Sequence, residues 1–415
     1  MHAQDGLLFE GVPLNAIADA LATPVWAYGA GTMRARLAAL TAALAGLDAH
    51  VHYAVKANDH LAVLRVLARG GAGADVVSGG ELARALRAGI PGGRVVFSGV
   101  GKTAAEIAAA LDAGIAQFNV ESARELDAIS DVAAAMGRTA PVALRVNPDV
   151  DAGTHPKITT GRAGDKFGIP YGDAHMLYAR AAALPGLRPV GLALHIGSQI
   201  VTLAPYRAAF ARAAALVRTL RAAGHPVARL DCGGGLGIGY RDPTEAVPAA
   251  FAGVLRAAFA GMDLELMIEP GRWLVGPAGV LLATVVRVKD GWVVLDAAMN
   301  DLARPAMYDA WHGIVPLAAV RAQAAAVPLD VVGPVCESAD TFARARPLPP
   351  LADGDRVAIL DAGAYGAVMS STYNARPLAP IALIDGARWA PIRARQPVEA
   401  LWHGESVPAF LDEGS

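Results

Sequence analysis

Short runs of β-branched and other apolar residues alternate with Ala- and Leu-rich segments between residues 50 and 271. In the longer segments the apolar residues recur at helical spacing, whereas the short runs have the length of buried strands. Regular alternation of this kind predicts an α/β fold of parallel strands connected by helices. Eight strands in this length predict a closed (β/α)₈ TIM-type barrel, and an open doubly wound sheet is the alternative. The predicted strands are 51–55, 74–77, 94–97, 116–120, 142–146, 190–196, 228–232 and 265–268.

The alternation is broken in two places. Residues 147–169, after the fifth strand, are too numerous and too polar for an ordinary connection, which predicts an active-site loop. After residue 279 the predicted strands follow one another through turn signals, Asp290-Gly291 and Asp385-Gly386, which are typical of hairpins. We therefore expect a barrel over 30–279 and a C-terminal all-β domain, a small β-barrel or sandwich. To this second domain we assign 280–415 together with the N-terminal segment 1–29.

Composition excludes several classes of protein. The 415 residues carry 36 basic and 38 acidic side chains, a balance that excludes a basic surface built for nucleic acid. The best apolar stretch, 273–286, is short and interrupted by Gly276-Pro277, so we expect no membrane span. The first residues lack a basic region followed by an apolar run, which predicts no secretory signal. With two cysteines and no cluster of metal-ligand spacing, we expect a cytoplasmic protein without a metal site.

Polar and charged residues gather at the carboxyl ends of the predicted strands, where the active sites of such barrels lie. A barrel built only for stability has no need of a lysine, a histidine, a glutamate and two arginines at one mouth. These strand-end residues are Lys56, Asp75, Ser78, Ser98, Asn119, Glu121, Arg145, Asn147, His195, Ser198, Gly233–Gly235, Glu269 and Arg272.

Lys56 and the glycine triplet suggest a cofactor. A desolvated lysine can have a lowered pKa and form a Schiff base with a carbonyl, although a solvated lysine at a strand end is the plain alternative. Gly233–Gly235 can cradle a phosphate after the seventh strand, or can form only a tight turn. Gly271 and Arg272 add a glycine and a cation after the eighth strand. A phosphate site beside a Schiff-base lysine points to pyridoxal phosphate, an electron sink for carbanions at an amino-acid Cα.

Two further residues have competing interpretations. His195 could be a satisfied core histidine, but its place at a strand end favours stacking on a flat ring. Cys336, in Gly-Pro-Val-Cys-Glu-Ser-Ala-Asp, could be a small buried hydrophobe. Its acidic neighbours in a turn-like segment also allow it to act as a proton donor.

Ten motifs in a fixed order, from about residue 23 to residue 377, carry a family resemblance. The chain resembles the diaminopimelate decarboxylases, pyridoxal-phosphate enzymes of the alanine-racemase fold. The resemblance implies decarboxylation of meso-2,6-diaminopimelate at its D centre to L-lysine and CO₂, the last step of lysine biosynthesis. The motifs are HYAVKAN, GADVVSGGEL, NPDVDAGTHPKITTG, KFGI, HIGSQ, DCGGGLGIGY, EPGR, MNDLARPAMYDAWH, GPVCESAD and DAGAYGAVMSSTYNARP.

The same resemblance implies roles around the cofactor. Lys56 would hold it covalently, His195 would stack on its ring, and Glu269 would pair with the ring nitrogen. The other residues expected to bind the cofactor, mostly around its phosphate, are Asp75, Ser198, Gly233, Gly234, Gly235, Gly271, Arg272 and Tyr365.

Substrate recognition and assembly are implied in the same way. Cys336 or Lys56 would return a proton to Cα after CO₂ leaves. Cys336 and Glu337 would reach the cofactor of the other subunit, which implies a homodimer with shared active sites. Glu337 would also bind the distal ammonium of the substrate. The side chains expected to bind the distal carboxylate, or to lie beside the substrate, are Arg272, Arg304, Tyr308 and Tyr365.

Four other functions compete with this one. Decarboxylases of ornithine, lysine or arginine have substrates without a distal carboxylate, so the arginines and Glu337 argue against them. A D-amino-acid decarboxylase of the same fold can share most of these motifs and stays open. Alanine racemases normally set an arginine against the ring nitrogen, where this chain has Glu269. A non-catalytic homologue that only binds a partner would have no need of Lys56, His195 and Cys336 together.

Overall fold

The computed structural model describes residues 2–3, 6–153, 161 and 166–411, and the chain divides into two compact units. One unit consists of Gly29–Gly279 and Asp361–Val368. The other consists of Met1–Tyr28, Val280–Leu360 and Met369–Ser415. Of the predicted active-site loop, 154–160 and 162–165 lie outside the described residues.

The described residues form strands and helices that we number in chain order. The strands are β1 (His2–Ala3), β2 (Gly6–Phe9), β3 (Val12–Pro13), β4 (Val25–Gly29), β5 (Ala49–Ala54), β6 (Gly73–Val76), β7 (Val95–Phe97), β8 (Gln117–Val120), β9 (Ala140–Asn147), β10 (Ile169–Pro170), β11 (Leu187–Ala193), β12 (Arg229–Asp231), β13 (Glu265–Ile268), β14 (Gly279–Lys289), β15 (Trp292–Leu295), β16 (Ile314–Pro316), β17 (Val327–Val332), β18 (Thr341–Leu348), β19 (Arg356–Ile359), β20 (Ile381–Asp385) and β21 (Arg388–Arg393). The helices are α1 (Leu14–Leu21), α2 (Ala30–Ala43), α3 (Leu61–Arg69), α4 (Gly79–Arg87), α5 (Ala104–Asp112), α6 (Ala123–Ala135), α7 (Ala174–Ala183), α8 (Ala204–Ala222), α9 (Pro248–Phe259), α10 (Arg272–Val275), α11 (Arg304–Tyr308) and α12 (Ala319–Ala322).

The first unit is the predicted (β/α)₈ barrel. Its strands pair in parallel in the order β9-β11-β12-β13-β5-β6-β7-β8, and β8 pairs with β9 to close the circle. The register at closure sets Asn119 opposite Ala143, and the register between β5 and β6 sets Ala54 opposite Asp75. Because all strands run the same way, their carboxyl ends form one rim. The fold prediction is confirmed, and the doubly wound alternative is excluded.

Local sequence signals explain where the helices around the barrel begin. Thr103 and Glu106 form a capping box at the start of α5, in which each side chain accepts a hydrogen bond from the other residue's backbone N–H. Ser78 caps α4 in the same position, since its hydroxyl accepts from the Glu81 N–H. Both caps directly follow the loops that leave β7 and β6, so they fix the chain where it passes the rim.

The second unit is built on a mixed sheet in which the N-terminal segment takes a central place. The order is β18-β17-β15-β14-β4-β20-β21, with β16 and β19 paired beside β14. β4 lies between β14 and β20, so 25–28 is part of this sheet, as predicted. Leu14, Val25, Leu282 and Ile384 pack in its core, which is closed to solvent.

Both predicted hairpins are present in this sheet. Lys289 pairs with Trp292 across Asp290-Gly291, and Asp385 pairs with Arg388 across the second turn. Asp290 and Gly291 both have positive φ, 48° and 86°, as a two-residue hairpin turn requires.

No helix among the described residues has the length and apolar character needed to cross a membrane.

One domain boundary differs from the expectation. We assigned all of 280–415 to the β domain, but Asp361–Val368 clusters with the barrel. Backbone hydrogen bonds hold it there, from Gly363 N–H to the Gly276 carbonyl at 3.0 Å and from Tyr365 N–H to the Ala57 carbonyl at 2.8 Å. The segment therefore carries Tyr365 to the barrel rim. No local pattern in the sequence distinguishes it from the strands on either side.

Candidate active site

Lys56 lies on a single helical turn that directly follows β5. Its Nζ donates to Asp75 Oδ2 at 2.7 Å, and Asp75 on the adjacent strand β6 is closed to solvent. Burial alone would lower the pKa of Lys56, as the sequence suggested, but the carboxylates of Asp75 and Glu269 outweigh it and raise the pKa. The expectation of a lowered pKa is therefore wrong. Lys56 is therefore a protonated ammonium group that forms an ion pair with the carboxylate of Asp75.

Glu269 follows β13 and belongs to a buried cluster with Asp231 of β12 and Asn119 of β8. Asn119 Nδ2 donates to Asp231 Oδ2 at 2.8 Å and lies 3.4 Å from Glu269 Oε1. One amide nitrogen therefore contacts both carboxyl groups, which lie side by side in the cluster. Burial, together with the neighbouring negative charge, raises the pKa of Glu269 well above its usual value, and burial raises the pKa of Asp231. The cluster is an acidic floor to the barrel mouth.

His195 follows β11 and faces this floor. Its Nδ1 lies 3.9 Å from Glu269 Oε2 and accepts a hydrogen bond from the Gly234 N–H at 3.3 Å. Burial, with the positive charges of Arg145 and Lys56, lowers the pKa of His195 well below 6.5. The ring is therefore neutral with its proton on Nε2. A flat neutral ring at this position is suited to stacking on another aromatic ring.

The glycine triplet is packed so closely that side chains cannot fit. A Cβ on Gly233 would lie 2.2 Å from the Leu194 carbonyl oxygen, and one on Gly234 would lie 2.0 Å from that of Glu269. Gly235, at φ +95°, would meet the Gly197 carbonyl at 2.5 Å. The loop after β12 therefore presents bare backbone to the rim, which is the arrangement that favours close approach of a phosphate.

A small cavity of about 110 Å³ opens beside this loop. Arg272 fixes one wall, because its Nη2 donates to Ser198 Oγ at 3.0 Å and its guanidinium lies 4.8 Å from the centre of the Tyr365 ring. Its Nη1 donates to the Tyr240 hydroxyl at 2.8 Å. The cavity is lined by Ala54, Lys56, His195, Ser198, Gly235, Leu236, Glu269, Gly271, Arg272 and Tyr365.

A second cavity of about 380 Å³ adjoins the first. Both are lined by Lys56, His195 and Glu269, so these three side chains lie where the cavities meet. The two lobes suit a molecule with a phosphate at one end and a flat ring at the other. The other residues lining the larger lobe are Val77, Ser98, Gly99, Val100, Gly101, Asn119, Arg145, Phe167 and Leu194.

Glu121 holds together the wall of the larger lobe. It pairs with Arg145 Nη1 at 2.6 Å and accepts from the backbone N–H groups of Gly99 and Gly168, at 3.2 and 2.9 Å. The Arg145 guanidinium also lies 5.0 Å from the centre of the Phe167 ring. The carboxylate of Glu121 therefore connects three parts of the wall: the end of β9, the loop after β7 and the end of the long 147–169 connection.

The remaining predicted residues belong to the second unit. Arg304, at the start of α11, is buried, and its Nη1 lies 2.7 Å from His312 Nε2, while His312 Nδ1 lies 2.8 Å from the Leu360 carbonyl. Tyr308 ends the same helix. Cys336 is exposed, so its interpretation as a buried hydrophobe is wrong. Its neighbour Glu337 is also exposed.

Sequence reasoning missed Asp231, Tyr240 and His312. Asp231 carried a usable signal, because it is an acidic residue at the carboxyl end of a barrel strand, separated from the glycine triplet only by Cys232. His312 stands in a motif, MNDLARPAMYDAWH, from which only the arginine and the tyrosine were assigned roles. Among the described residues, no group of three or more His, Cys, Asp or Glu side chains has the geometry of a metal site.

Comparison with known proteins agrees with this site. The family model for the pyridoxal binding domain of the pyridoxal-dependent decarboxylases matches residues 30–276, the barrel just described. Fold and site together thus define a decarboxylase of the barrel type, and pyridoxal phosphate is its cofactor. The chain is also 46% identical to a diaminopimelate decarboxylase of Zymomonas mobilis, over 98% of both chains. It belongs to the diaminopimelate decarboxylase family.

Solved structures of this family have the same fold. A diaminopimelate decarboxylase from Helicobacter pylori, complexed with L-lysine, matches with a TM-score of 0.91 at 38% identity, covering 97% of this chain and all of that one. The enzyme from M. jannaschii, in complex with L-lysine, matches with a TM-score of 0.94 at 34% identity, covering 99% and 98%.

Proposed function

We propose that this protein removes the carboxylate at the D centre of meso-2,6-diaminopimelate and releases L-lysine and CO₂. The observation that carries the proposal is the meeting of Lys56, His195 and Glu269 between a phosphate-sized lobe and a larger one. Full-length similarity to diaminopimelate decarboxylases, two of them bound to L-lysine, supports the choice of substrate.

Pyridoxal phosphate, when bound, supplies an electron sink for the carbanion left at Cα. Lys56 attaches the cofactor and afterwards can move a proton at Cα. Asp75, 2.7 Å from Lys56 Nζ, is the group placed to take the ammonium proton that Lys56 must lose first. His195 would stack on the cofactor ring and fix its orientation, and Glu269 would bind its nitrogen. A carboxylate there favours the protonated ring, and hence the strongest withdrawal of electrons.

The small lobe would hold the phosphate. Ser198 and Tyr365 provide hydroxyl groups, Gly235 and Gly271 let the backbone approach, and Arg272 adds a positive charge. Gly233 and Gly234 support the loop from behind, where their close packing excludes side chains. These contacts orient the cofactor before substrate enters.

Recognition of the distal end of the substrate would rest on the second unit. Arg304 and Tyr308 would bind the distal carboxylate, and Glu337 would bind the distal ammonium. A guanidinium can bind a carboxylate through two parallel hydrogen bonds. A substrate without that carboxylate cannot form these hydrogen bonds with the buried Arg304, and such losses discriminate strongly between substrates.

The active form would be a homodimer with shared sites. Cys336 and Glu337 are exposed in this chain and free to enter the site of a second copy, where Cys336 returns a proton to Cα. Mixing of two variants tests this arrangement. Lys56→Ala and Cys336→Ala dimers, dissociated and reassembled together, should regain activity because about a quarter of the sites are then intact. No activity beyond the sum of the two variants alone would contradict the shared site.

Release of CO₂ from purified protein loaded with pyridoxal phosphate tests the reaction itself. The candidate substrates are meso-diaminopimelate, L-ornithine, L-lysine, L-arginine and the D-forms of these diamino acids, each offered alone. We expect release from meso-diaminopimelate only, with one L-lysine formed for each CO₂. Release from a D-diamino acid instead would keep the cofactor chemistry but overturn the substrate, and no release from any of them would overturn the function.

A further inference from the structure

Asp231 is a buried carboxyl group that the proposed reaction does not use. It is closed to solvent, and it accepts hydrogen bonds from Asn119 Nδ2 at 2.8 Å and from the Gly233 N–H at 2.9 Å. The carboxyl group of Glu269 lies beside it, because the same Asn119 Nδ2 is also 3.4 Å from Glu269 Oε1. Within the described part of the chain, no lysine or arginine forms an ion pair with Asp231. A buried carboxylate normally requires such a partner or a proton.

The cations near this cluster are already paired with other carboxylates. Lys56, whose charge acts on Glu269, is paired with Asp75. Arg145 is paired with Glu121, 2.6 Å away, and His195 is neutral. The adjacent Cys232 is buried, and burial raises the pKa of its thiol, so it contributes no charge at neutral pH.

Two carboxyl groups in contact can form a hydrogen bond only if one of them carries the proton. Asn119 donates toward both carboxyls and therefore cannot provide that proton itself. One proton held between Asp231 and Glu269 before the cofactor enters would remove the cost of burying two adjacent carboxylates.

We propose that Asp231 is a positioning residue that shares this proton with Glu269, and that the pair transfers it to the ring nitrogen of the bound cofactor and holds it there. The inference rests on the proposed contact between Glu269 and that nitrogen. In the transfer, the O–H bond of the carboxyl pair breaks and an N–H bond forms on the ring. Both carboxylates are then ionised beside a positively charged ring, so charge and protons balance without a further donor.

A purely structural role for Asp231 makes a different prediction. The hydrogen bond to Gly233 shapes the glycine loop, and its loss would weaken cofactor binding equally at every pH. The Asp231→Asn variant separates the two roles, because its amide oxygen can still accept from Gly233 while the side chain cannot ionise. Asn119 keeps its hydrogen bond to Ser98 Oγ, 3.0 Å away.

The test is a pH titration of the bound cofactor, labelled with ¹⁵N in its ring and observed by NMR without substrate. Since Asp231→Asn removes a negative charge near the ring, the ring nitrogen should lose its proton at a pH lower by about 1 unit or more than in the wild type. Cys232→Ala, which alters the neighbouring residue without removing a charge, should titrate as the wild type does. An unchanged titration in Asp231→Asn would overturn the proposal.

Two further measurements make the outcome decisive. If Glu269→Gln also leaves the ring titration unchanged, the pairing of Glu269 with the nitrogen fails, and with it part of the proposed function. If the ring titration is unchanged in Asp231→Asn but shifted in Glu269→Gln, this inference alone fails. Should Asp231→Asn not fold, calorimetry on the wild-type chain answers the question. The ligand is 4′-deoxypyridoxine phosphate, which has no aldehyde to react with Lys56, and two buffers of different ionisation enthalpy are used. Above the pKa of the free analogue's ring we expect no net proton uptake, and uptake of about one proton from the buffer would refute the transfer.

Discussion

Substitution of Gly234 by alanine tests the closest packing in the candidate site. The added Cβ would lie 2.0 Å from the carbonyl oxygen of Glu269 and 3.0 Å from its carbonyl carbon. Real Cβ atoms keep at least 3.0 Å from other atoms, so the backbone segments around Gly234 and Glu269 would have to separate by about 1 Å. Gly234 and Glu269 follow the adjacent barrel strands β12 and β13, and the atoms that clash are backbone atoms that cannot rotate away.

The strain should appear as lost stability and lost cofactor together. Overpacking of a rigid site typically costs 1–3 kcal/mol, and a backbone clash of this size places Gly234→Ala at about 3 kcal/mol or more. The same movement displaces Glu269 and the N–H that contacts His195, so we expect cofactor affinity to fall at least about tenfold.

Gly253 provides a matched control for the same chemical change. It lies within α9, and a Cβ there would meet no atom within 4 Å. Alanine is favoured over glycine inside a helix, so Gly253→Ala should stabilise the chain by about 0.5–1 kcal/mol without changing cofactor affinity. Urea denaturation and fluorescence titration with pyridoxal phosphate measure both quantities. Wild-type stability and affinity in Gly234→Ala would refute the packing argument.

Three other predictions follow from single contacts. Lys56→Ala should leave no cofactor absorbance after gel filtration and should lower turnover about 10³-fold or more. Lys102 cannot replace Lys56, because the Nζ of Lys102 is held by two backbone carbonyls and a carboxylate. Cofactor absorbance retained in the variant would contradict this. Burial lowers the pKa of His52 to about 4, so the unfolded chain takes up the proton first, and the free energy of unfolding should fall by about 3 kcal/mol between pH 6.5 and 4. Measured by denaturation, the fall between these two pH values should be smaller in His52→Gln by this amount, and an equal fall in both proteins would be against it. His312→Leu removes the neutral acceptor of Arg304 and should raise KM for diaminopimelate about tenfold with kcat and cofactor content unchanged; a fall in kcat alone would show a different role.

The fold followed from the sequence because barrel strands are local units. Each strand was predicted from a short apolar run, and each connecting helix from the helical spacing of its apolar residues. Seven of the eight barrel neighbours are consecutive in the chain, so the order β5-β6-β7-β8-β9 needed no long-range information. The segment Asp361–Val368 is the counterexample. It leaves the β unit for the barrel through backbone hydrogen bonds that carry no mark in the sequence.

The same distinction applies to contacts in the active site. Lys56 and Asp75 end consecutive strands, and Ala54 pairs with Asp75, so their ion pair could have been derived from the barrel order alone. With Asp75 placed beside it in this way, Lys56 is expected to have a raised pKa, not the lowered pKa that burial alone would give. Reasoning about a strand-end lysine therefore has to include the strand-end residue of the next strand.

Contacts across the barrel are of a different kind. Asn119 on β8 reaches Asp231 on β12, two strands beyond its neighbour β9, and that distance is set by how the closed barrel curves. Hydrophobic pattern fixes which side chains point inward but not which of them meet. An inward-pointing charged residue in an otherwise apolar barrel strand must nevertheless find a partner, because burial without one is too costly. Asp231 could therefore be recognised from sequence as one half of a polar contact, while Glu269 and Asn119 as the other half required the folded barrel.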